Sequence, residues 1–154
     1  DLSLDMICMD IDYMQDYADF TVNKQRFPDL AALSAELKAQ GIRLVPIIDA
    51  GVRIDPENPV CAEGLANGSF CTKADGTPFV AAVWPGKAYF ADFLRPEVRE
   101  WFGRQYKALT DCGIEGFWNF SHYDLSVSYP NVVVENVHLG DSLMSLGYRL
   151  RNQE

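Results

Sequence analysis

Hydrophobic positions along the first fifty residues fall into blocks that predict a strand, a helix and a second strand. The apolar run Leu4–Met9 predicts a buried strand. Pro28–Asp29 then opens a segment with apolar residues at helical spacing, and this segment closes at Gly41. The apolar run Ile42–Ile48 predicts the next strand. The first third of the chain therefore predicts a strand–helix–strand unit.

The pattern changes after the second strand and then returns. The stretch of roughly forty residues that follows is rich in proline and glycine, which predicts a long loop outside the core. A second helical pattern starts at Pro96 and stops at Cys112–Gly113, and Ile114–Trp118 predicts a third strand. The order strand, helix, strand, long loop, helix, strand predicts a parallel sheet with right-handed crossovers.

Polar and aromatic residues follow each predicted strand. Asp10 and Asp12 follow the first strand, Asp49 follows the second, and Trp118 ends the third. Because the carboxyl ends of parallel strands meet at one edge, these residues are expected to form one site. Carboxylates accept hydrogen bonds from sugar hydroxyls and an aromatic face covers sugar C–H groups, so the pattern favours a carbohydrate. A divalent metal is the alternative use of such acids, and no acidic loop of calcium-binding spacing supports it.

Each candidate also has a structural alternative. In that alternative Asp10 is a strand-end cap and Asp12 a solvated acid, and Asp49 is a turn residue whose side chain bonds its own backbone. Trp84 lies in the long loop and either covers a ligand or packs the loop down; the first interpretation is favoured. Trp101 fits the apolar stripe of the second helix and is predicted to be core.

Composition narrows the class of partner. The chain has 154 residues, 48% hydrophobic and 23% charged, which suits about one soluble globular domain. A net charge of −9 argues against nucleic acid or an anionic membrane as partner, and no apolar run reaches the ~20 residues of a membrane span. Four cysteines without paired spacing predict reduced thiols, Cys8 and Cys112 buried, in the cytoplasm. The first residue, Asp1 rather than Met, suggests an internal segment.

Several stretches together resemble family 31 glycoside hydrolases, and within that family the bacterial alpha-glucosidases. They occur in the family's order and spacing: Met9–Met14, Asp19–Val22, Arg26–Asp29, Leu44–Gly51, Val83–Gly86 and Gly116–Asn119. The resemblance implies an α/β chain that forms part of a (β/α)8 TIM barrel. It covers about strands 2 to 4 with the intervening helices and a long loop after the third strand.

The resemblance also implies roles for individual residues. Asp10 would bond sugar hydroxyls in the −1 subsite with Ile11 beside it. The other matching positions of the pocket lining are Ile47, Asp49, Trp84 and Trp118. The implied reaction is retaining hydrolysis of terminal alpha-linked glucose from alpha-glucosides or oligosaccharides, and it requires no cofactor and no metal.

The chain departs from the family after Asn119. The family has an aspartate nucleophile two residues after the position of Trp118, whereas this chain has Phe120 there, and Asp124 comes too late. The general acid/base belongs to a later barrel strand and has no counterpart. Retaining hydrolysis needs both carboxyl groups. No catalytic residue is intact, and the isolated chain is expected to be inactive.

The sequence thus divides into a partial catalytic barrel, residues 1–119, and a divergent tail of no recognised family, residues 120–154. A frameshift, read-through or truncated reading frame is the favoured explanation of the tail. The alternative is a non-catalytic carbohydrate-binding derivative, with a strand at Val132–Val134 and a helix over Ser142–Arg151. A further alternative is a protein-interaction module whose sheet edges pair with another chain.

Overall fold

The computed structural model describes residues 4–84, 86–119, 125–136 and 148. Two 3-10 turns, Ile11–Tyr13 and Gln15–Tyr17, follow the first strand. The elements in chain order are β1 (Met6–Met9), α1 (Leu30–Ala39), β2 (Arg43–Pro46), β3 (Gly51–Arg53), α2 (Pro59–Ala66), β4 (Val80–Val83), β5 (Gly86–Phe90), α3 (Pro96–Gln105), α4 (Lys107–Thr110), β6 (Gly116–Asn119), α5 (Leu125–Ser128) and β7 (Val133–Asn136).

Four parallel strands follow one another in the order β1, β2, β6, β7. Strand β1 pairs with β2 in parallel, and β6 pairs with β7 in parallel. A parallel bridge between Ile47 and Trp118 joins the end of β2 to β6. The predicted parallel arrangement is confirmed, and β7, in the tail, adds a fourth strand to the three predicted for the partial barrel. Within the described residues the strands form an open α/β arc that does not close into a barrel.

Local capping sets the bounds of α1. At its start, Oδ1 of Asp29 accepts the backbone N–H of Ala32 at 2.8 Å. After its end, Gly41 adopts φ +82°, a left-handed conformation that glycine takes without a Cβ penalty. The apolar side of the helix packs Leu33 and Leu37 against the core. The predicted helix and its terminating glycine are both confirmed.

The segment between β2 and α3 is a folded layer, so the prediction of a long loop outside the core is wrong. It contains α2 and an antiparallel sheet in the order β3, β5, β4. Asn58 caps α2, and Pro59 occupies its first turn, where the missing N–H costs nothing. Side chains from this layer are buried in the main core: Val52, Val60, Cys61 and Phe70.

Helix α3 carries large aromatic side chains into the centre of the core. Pro96 begins the helix as predicted, and Trp101 and Phe102 are almost fully buried. The ring of Phe20 packs edge-on against Phe102 and Tyr106, with centroid distances of 5.1 and 5.2 Å. The predicted helix is divided at Tyr106, where α3 ends and α4 begins. The prediction that Trp101 belongs to the core is confirmed.

One face of the parallel sheet is open. Met6 and Val133 are 57% and 77% exposed, and both border an apolar groove of about 340 Å³. Cys8 lies on the same face of β1 as Met6, because side chains alternate along a strand, and it is exposed. The prediction that Cys8 is buried is therefore wrong, and Cys112 is only half-buried.

The described part of the tail joins the sheet. The strand predicted at Val132–Val134 is confirmed as β7, which begins one residue later and pairs with β6. The helix predicted over Ser142–Arg151 lies outside the described residues, apart from Tyr148, which is exposed.

Candidate functional site

Asp10 is the first residue after β1 and caps the 3-10 turn that follows. Its Oδ1 accepts the backbone N–H of Ile11 at 2.7 Å, and the residue is exposed. Ile11 lies directly beside it and is half-buried. In the part of the chain that the structure describes, no other group bonds to this carboxylate. Asp10 therefore presents a second oxygen to a ligand at the carboxyl end of β1.

Asp49 lies at the corresponding end of the next strand and is half-buried. Burial raises the pKa of its carboxyl, and the neighbouring charge of Asp10 raises it further. The two acids follow the paired parallel strands β1 and β2 and therefore lie at the same edge of the sheet. The Asx turn considered for Asp49 is absent, since its carboxylate makes no hydrogen bond to any described residue.

Trp118 lies at the end of β6, next to the end of β2. Its bridge with Ile47 fixes this neighbourhood, and the N–H of Ile47 in turn donates to the carbonyl oxygen of Met9 at 2.9 Å. Trp118 is 45% exposed and Ile47 is half-buried. The ends of β1, β2 and β6 thus bring two carboxylates and one indole to the same edge of the sheet.

Trp84 lies at the tip of the β4–β5 hairpin and is 75% exposed. Its neighbour Val83 packs on Gly51, two residues beyond Asp49, where an added Cβ would lie 2.9 Å from a Val83 methyl group. The residue before Trp84 therefore packs on the segment that follows Asp49. No aromatic contact within the described residues holds Trp84 against the fold, so its ring is not packed down as a plug.

Asp12 has a different environment from Asp10. Its Oδ1 pairs with the Arg26 guanidinium at 2.9 Å, and both side chains are more than half exposed. An exposed ion pair of this kind contributes little to stability. The structure therefore agrees with the interpretation of Asp12 as a solvated acid.

Two residues to which the sequence analysis assigned no role bond to the main chain just after β2. The hydroxyl of Tyr13 donates to the carbonyl oxygen of Ile47 at 2.9 Å. Oδ1 of Asp19 accepts the backbone N–H of Asp49 at 3.0 Å. Both Tyr13 and Asp19 are buried, at 1% and 2% exposure. Both residues lie in stretches that carry the family resemblance, Met9–Met14 and Asp19–Val22, although no role was assigned to either.

Burial raises the pKa of both Tyr13 and Asp19. It raises the pKa of the Tyr13 hydroxyl, with the charge of Asp19 as the next contribution, so Tyr13 remains a donor. Burial also raises the pKa of the Asp19 carboxyl well above its usual value, although the N–H of Asp49 opposes this shift. Among the described residues, Oδ2 of Asp19 has no hydrogen-bond partner.

Three further observations concern the nucleophile position, metal binding and membrane spans. Phe120, which occupies the nucleophile position in the resemblance, lies outside the described residues. The described residues contain no group of three or more metal-binding side chains. None of the helices described here is long and apolar enough to cross a membrane.

Comparisons with known proteins give consistent matches. The model of the family described as "Glycosyl hydrolases family 31 TIM-barrel domain" matches residues 1–139. Alpha-glucosidase 2 of Bacillus thermoamyloliquefaciens is 47% identical over 119 residues, which are 77% of this chain and 15% of that protein. An alpha-glucosidase of Saccharolobus solfataricus is 31% identical over 146 residues, which are 95% of this chain and 20% of that protein.

A solved structure agrees with the fold. The family 31 alpha-glucosidase from Bacteroides thetaiotaomicron superposes with a TM-score of 0.68 at 39% identity, covering 75% of this chain and 20% of that chain. The family match continues past Asn119, where the likeness was expected to end, to residue 139, and it includes β7. The chain spans between 15% and 20% of the length of these relatives. The predicted family and partial barrel are confirmed: the chain belongs to glycosyl hydrolase family 31 and represents part of its TIM-barrel domain.

Proposed function

We propose that this chain is a segment of a retaining alpha-glucosidase barrel and supplies one wall of its −1 sugar subsite. The observation that carries the proposal is that Asp10 and Asp49 follow the paired parallel strands β1 and β2 at the same edge of the sheet, with Trp118 on the next strand. The alpha-glucosidase relatives support it, and the activity of the whole protein is part of the proposal.

The chemistry of the cluster suits a neutral polyol. Two carboxylates that repel each other are stabilised when hydroxyl groups of a ligand donate hydrogen bonds to both. The exposed indole of Trp118 offers an aromatic face to the C–H side of a pyranose. In this proposal Asp10 and Asp49 bind glucose hydroxyls, while the remaining wall consists of Ile11, Ile47, Trp84 and Trp118.

Cleavage needs groups that this chain does not supply. Retaining hydrolysis uses a carboxylate nucleophile and a carboxylic acid about 5 Å apart, and the nucleophile position carries Phe120. Phenylalanine has no oxygen with which to attack the anomeric carbon. We therefore expect the isolated chain to bind sugar without hydrolysing it. Release of p-nitrophenol from p-nitrophenyl alpha-glucoside that Asp10→Ala abolishes would contradict this expectation.

A nuclear magnetic resonance titration of the ¹⁵N-labelled chain with methyl alpha-glucoside tests the binding proposal. We expect saturable shifts of the Asp10 and Asp49 amides and of the Trp118 indole, with a Kd of about 1 mM or weaker, because much of the pocket lies on other parts of the barrel. Asp49→Asn should weaken binding, whereas the matched control Asp12→Asn should not. Equal binding by the two variants, or no shift in the wild-type chain, would overturn the proposal.

We also propose a cytoplasmic location and a role in carbohydrate metabolism. The location is supported by four cysteines that are all free thiols, since disulfides persist mainly in oxidising compartments. Cell fractionation with detection of this chain tests it, and recovery in a secreted fraction would contradict it.

A further inference from the structure

The hydrogen-bond ladder between β1 and β2 ends before the chain that follows β2 reaches Asp49. The last ladder bond on the β1 side joins the N–H of Ile47 to the carbonyl oxygen of Met9. Beyond it, β1 turns away at Asp10 into the 3-10 turn, whereas the chain after β2 continues to Asp49. Main-chain groups that leave a sheet in a protein interior need other partners.

Two side chains bond to the main chain where this ladder has ended. Tyr13 bonds to the carbonyl oxygen of Ile47, and Asp19 bonds to the N–H of Asp49, so the two peptide groups that flank the buried Ile48 are both held. We call Tyr13 and Asp19 the main-chain clamp. Both residues belong to the segment that also carries Asp10, so the clamp joins that segment to the main chain at Asp49.

The segment that delivers Asp19 has an unusual backbone. Asp16, Tyr17 and Phe20 adopt φ of 50°, 59° and 61°, a left-handed region that L side chains rarely occupy. The ring of Phe20 is fixed between those of Phe102 and Tyr106. This aromatic contact holds the turn in place and directs the adjacent Asp19 into the interior.

We propose that Asp19 is a positioning residue for Asp49. Its buried carboxyl fixes the Asp49 main chain, and this sets the direction in which the Asp49 carboxylate meets the sugar. The inference rests on the proposed function, because it assigns Asp49 to sugar binding. The proposal depends on the side-chain oxygen of residue 19 that accepts the Asp49 N–H. An asparagine would preserve that oxygen, and a leucine of similar size would remove it.

The experiment compares wild type, Asp19→Asn and Asp19→Leu by the same sugar titration and by hydrogen exchange of the Asp49 amide. Ser34→Ala is the matched control, because the buried Ser34 hydroxyl also bonds a backbone group, the Gly113 carbonyl oxygen, at 3.1 Å on another part of the fold. Thermal unfolding of each variant reports the stability change separately from the binding change.

We expect Asp19→Leu to lose affinity for methyl alpha-glucoside at least about tenfold, equivalent to about 1.4 kcal/mol, and to lose Asp49 amide protection. Asp19→Asn should restore both to within about twofold of wild type, and Ser34→Ala should bind normally despite a lower Tm. A purely structural role would lower Tm in Asp19→Leu and leave the affinity unchanged. That result, or a failure of Asp19→Asn to restore affinity, would overturn the proposal.

Two measurements keep this inference distinct from the proposed function. If the wild-type chain does not bind the sugar, the proposed function fails, and with it the sugar-directing role; protection of the Asp49 amide then still reports whether residue 19 holds that main chain. If Asp19→Leu does not fold, a scalar coupling across the hydrogen bond from the Asp49 ¹⁵N to the Asp19 carboxyl ¹³C in the wild-type chain supports the contact. Absence of that coupling in the folded chain contradicts it.

Discussion

The hydroxyl of Tyr13 donates a hydrogen bond to the carbonyl oxygen of Ile47 at 2.9 Å, across 34 positions of the sequence. The bond joins the turn after β1 to the residue that also bridges β2 to Trp118. A single buried phenol therefore connects the ends of three parallel strands.

Removal of this hydroxyl should destabilise the fold. Tyr13→Phe leaves the half-buried Ile47 carbonyl oxygen without its partner, which costs about 1 kcal/mol of unfolding free energy. Urea denaturation measures the change. Tyr17→Phe is the matched control, since Tyr17 is 40% exposed, and it should stay within about 0.5 kcal/mol of wild type. Equal stability of the two variants would contradict the role of the Tyr13 bond.

A glycine in α2 should resist substitution. A Cβ on Gly64 would lie 2.4 Å from Cζ of Phe70 and 2.8 Å from Cη2 of Trp101. Gly64→Ala should therefore destabilise the fold by about 1–3 kcal/mol, although alanine is the better helix former. Urea denaturation measures this change, and Ala62→Gly at an exposed position of the same helix calibrates the propensity contribution. A Gly64→Ala variant more stable than wild type would show that the packing is looser than described.

The buried Asp19 should give stability a characteristic pH dependence. Its pKa is raised in the folded state by burial, with Asp49 adding to the shift, so folding takes up a proton between the unfolded value of about 3.9 and the folded value. The contribution of Asp19 to stability is therefore present below about pH 4 and is lost as the pH rises through its folded pKa. Relative to wild type, Asp19→Asn should become more stable as the pH increases from 4 to 7, measured by urea denaturation.

Glu115 provides a control, because its pKa is shifted in the opposite direction to that of Asp19. A hydrogen bond from Lys38 lowers the pKa of its carboxyl, with Arg43 also contributing, so its stabilisation is present at neutral pH and is lost in acid. Glu115→Gln should be less stable than wild type at pH 7 and should match it at low pH. Parallel behaviour of the Asp19 and Glu115 variants would contradict the assigned shifts.

A chimera tests whether the sugar-binding wall supports catalysis in an intact barrel. Residues 1–119 would replace the aligned segment of Alpha-glucosidase 2 from Bacillus thermoamyloliquefaciens, so that the host supplies its own residue at the position of Phe120. We expect hydrolysis of p-nitrophenyl alpha-glucoside. Asp49→Asn in the chimera should lower kcat/KM by about 10- to 100-fold, the effect of a lost charged hydrogen bond.

Asp12→Asn is the matched control in the same chimera, because Asp12 pairs with Arg26 at the surface. It should retain activity within about twofold of the unsubstituted chimera. A folded but inactive chimera, or one in which Asp49→Asn has no effect, would contradict the proposed wall.

Features with local causes were predictable from the sequence. The α1 helix follows from an N-cap at Asp29 and a glycine after its end, both within a few residues of the helix they bound. The positions of Asp10 and Asp49 at neighbouring strand ends were predictable because each follows an apolar strand. Trp84 was selected as a residue of a long loop, but its place on a hairpin tip was not predictable from spacing.

Features with distant causes were not predictable. The layer between β2 and α3 carries turn residues that favour a loop, yet Pro59 starts a helix and Gly86, with φ +94°, begins β5 just after the hairpin tip. Asp19 was missed because its partner is a backbone amide thirty positions away. The exposure of Cys8 was missed because apolar neighbours in sequence do not show which face of a strand is covered.

The strands and the tip of the β4–β5 hairpin are expected to change at different rates in evolution. Its strands are fixed, since Ala88 of β5 is fully buried and an added Cβ on Gly51 of β3 would meet Val83 of β4. Its tip at Trp84 extends into solvent and has no such constraint. Insertions and substitutions should therefore accumulate at the tip while the strands are retained, so that related barrels change the sugars they accept without changing those strands.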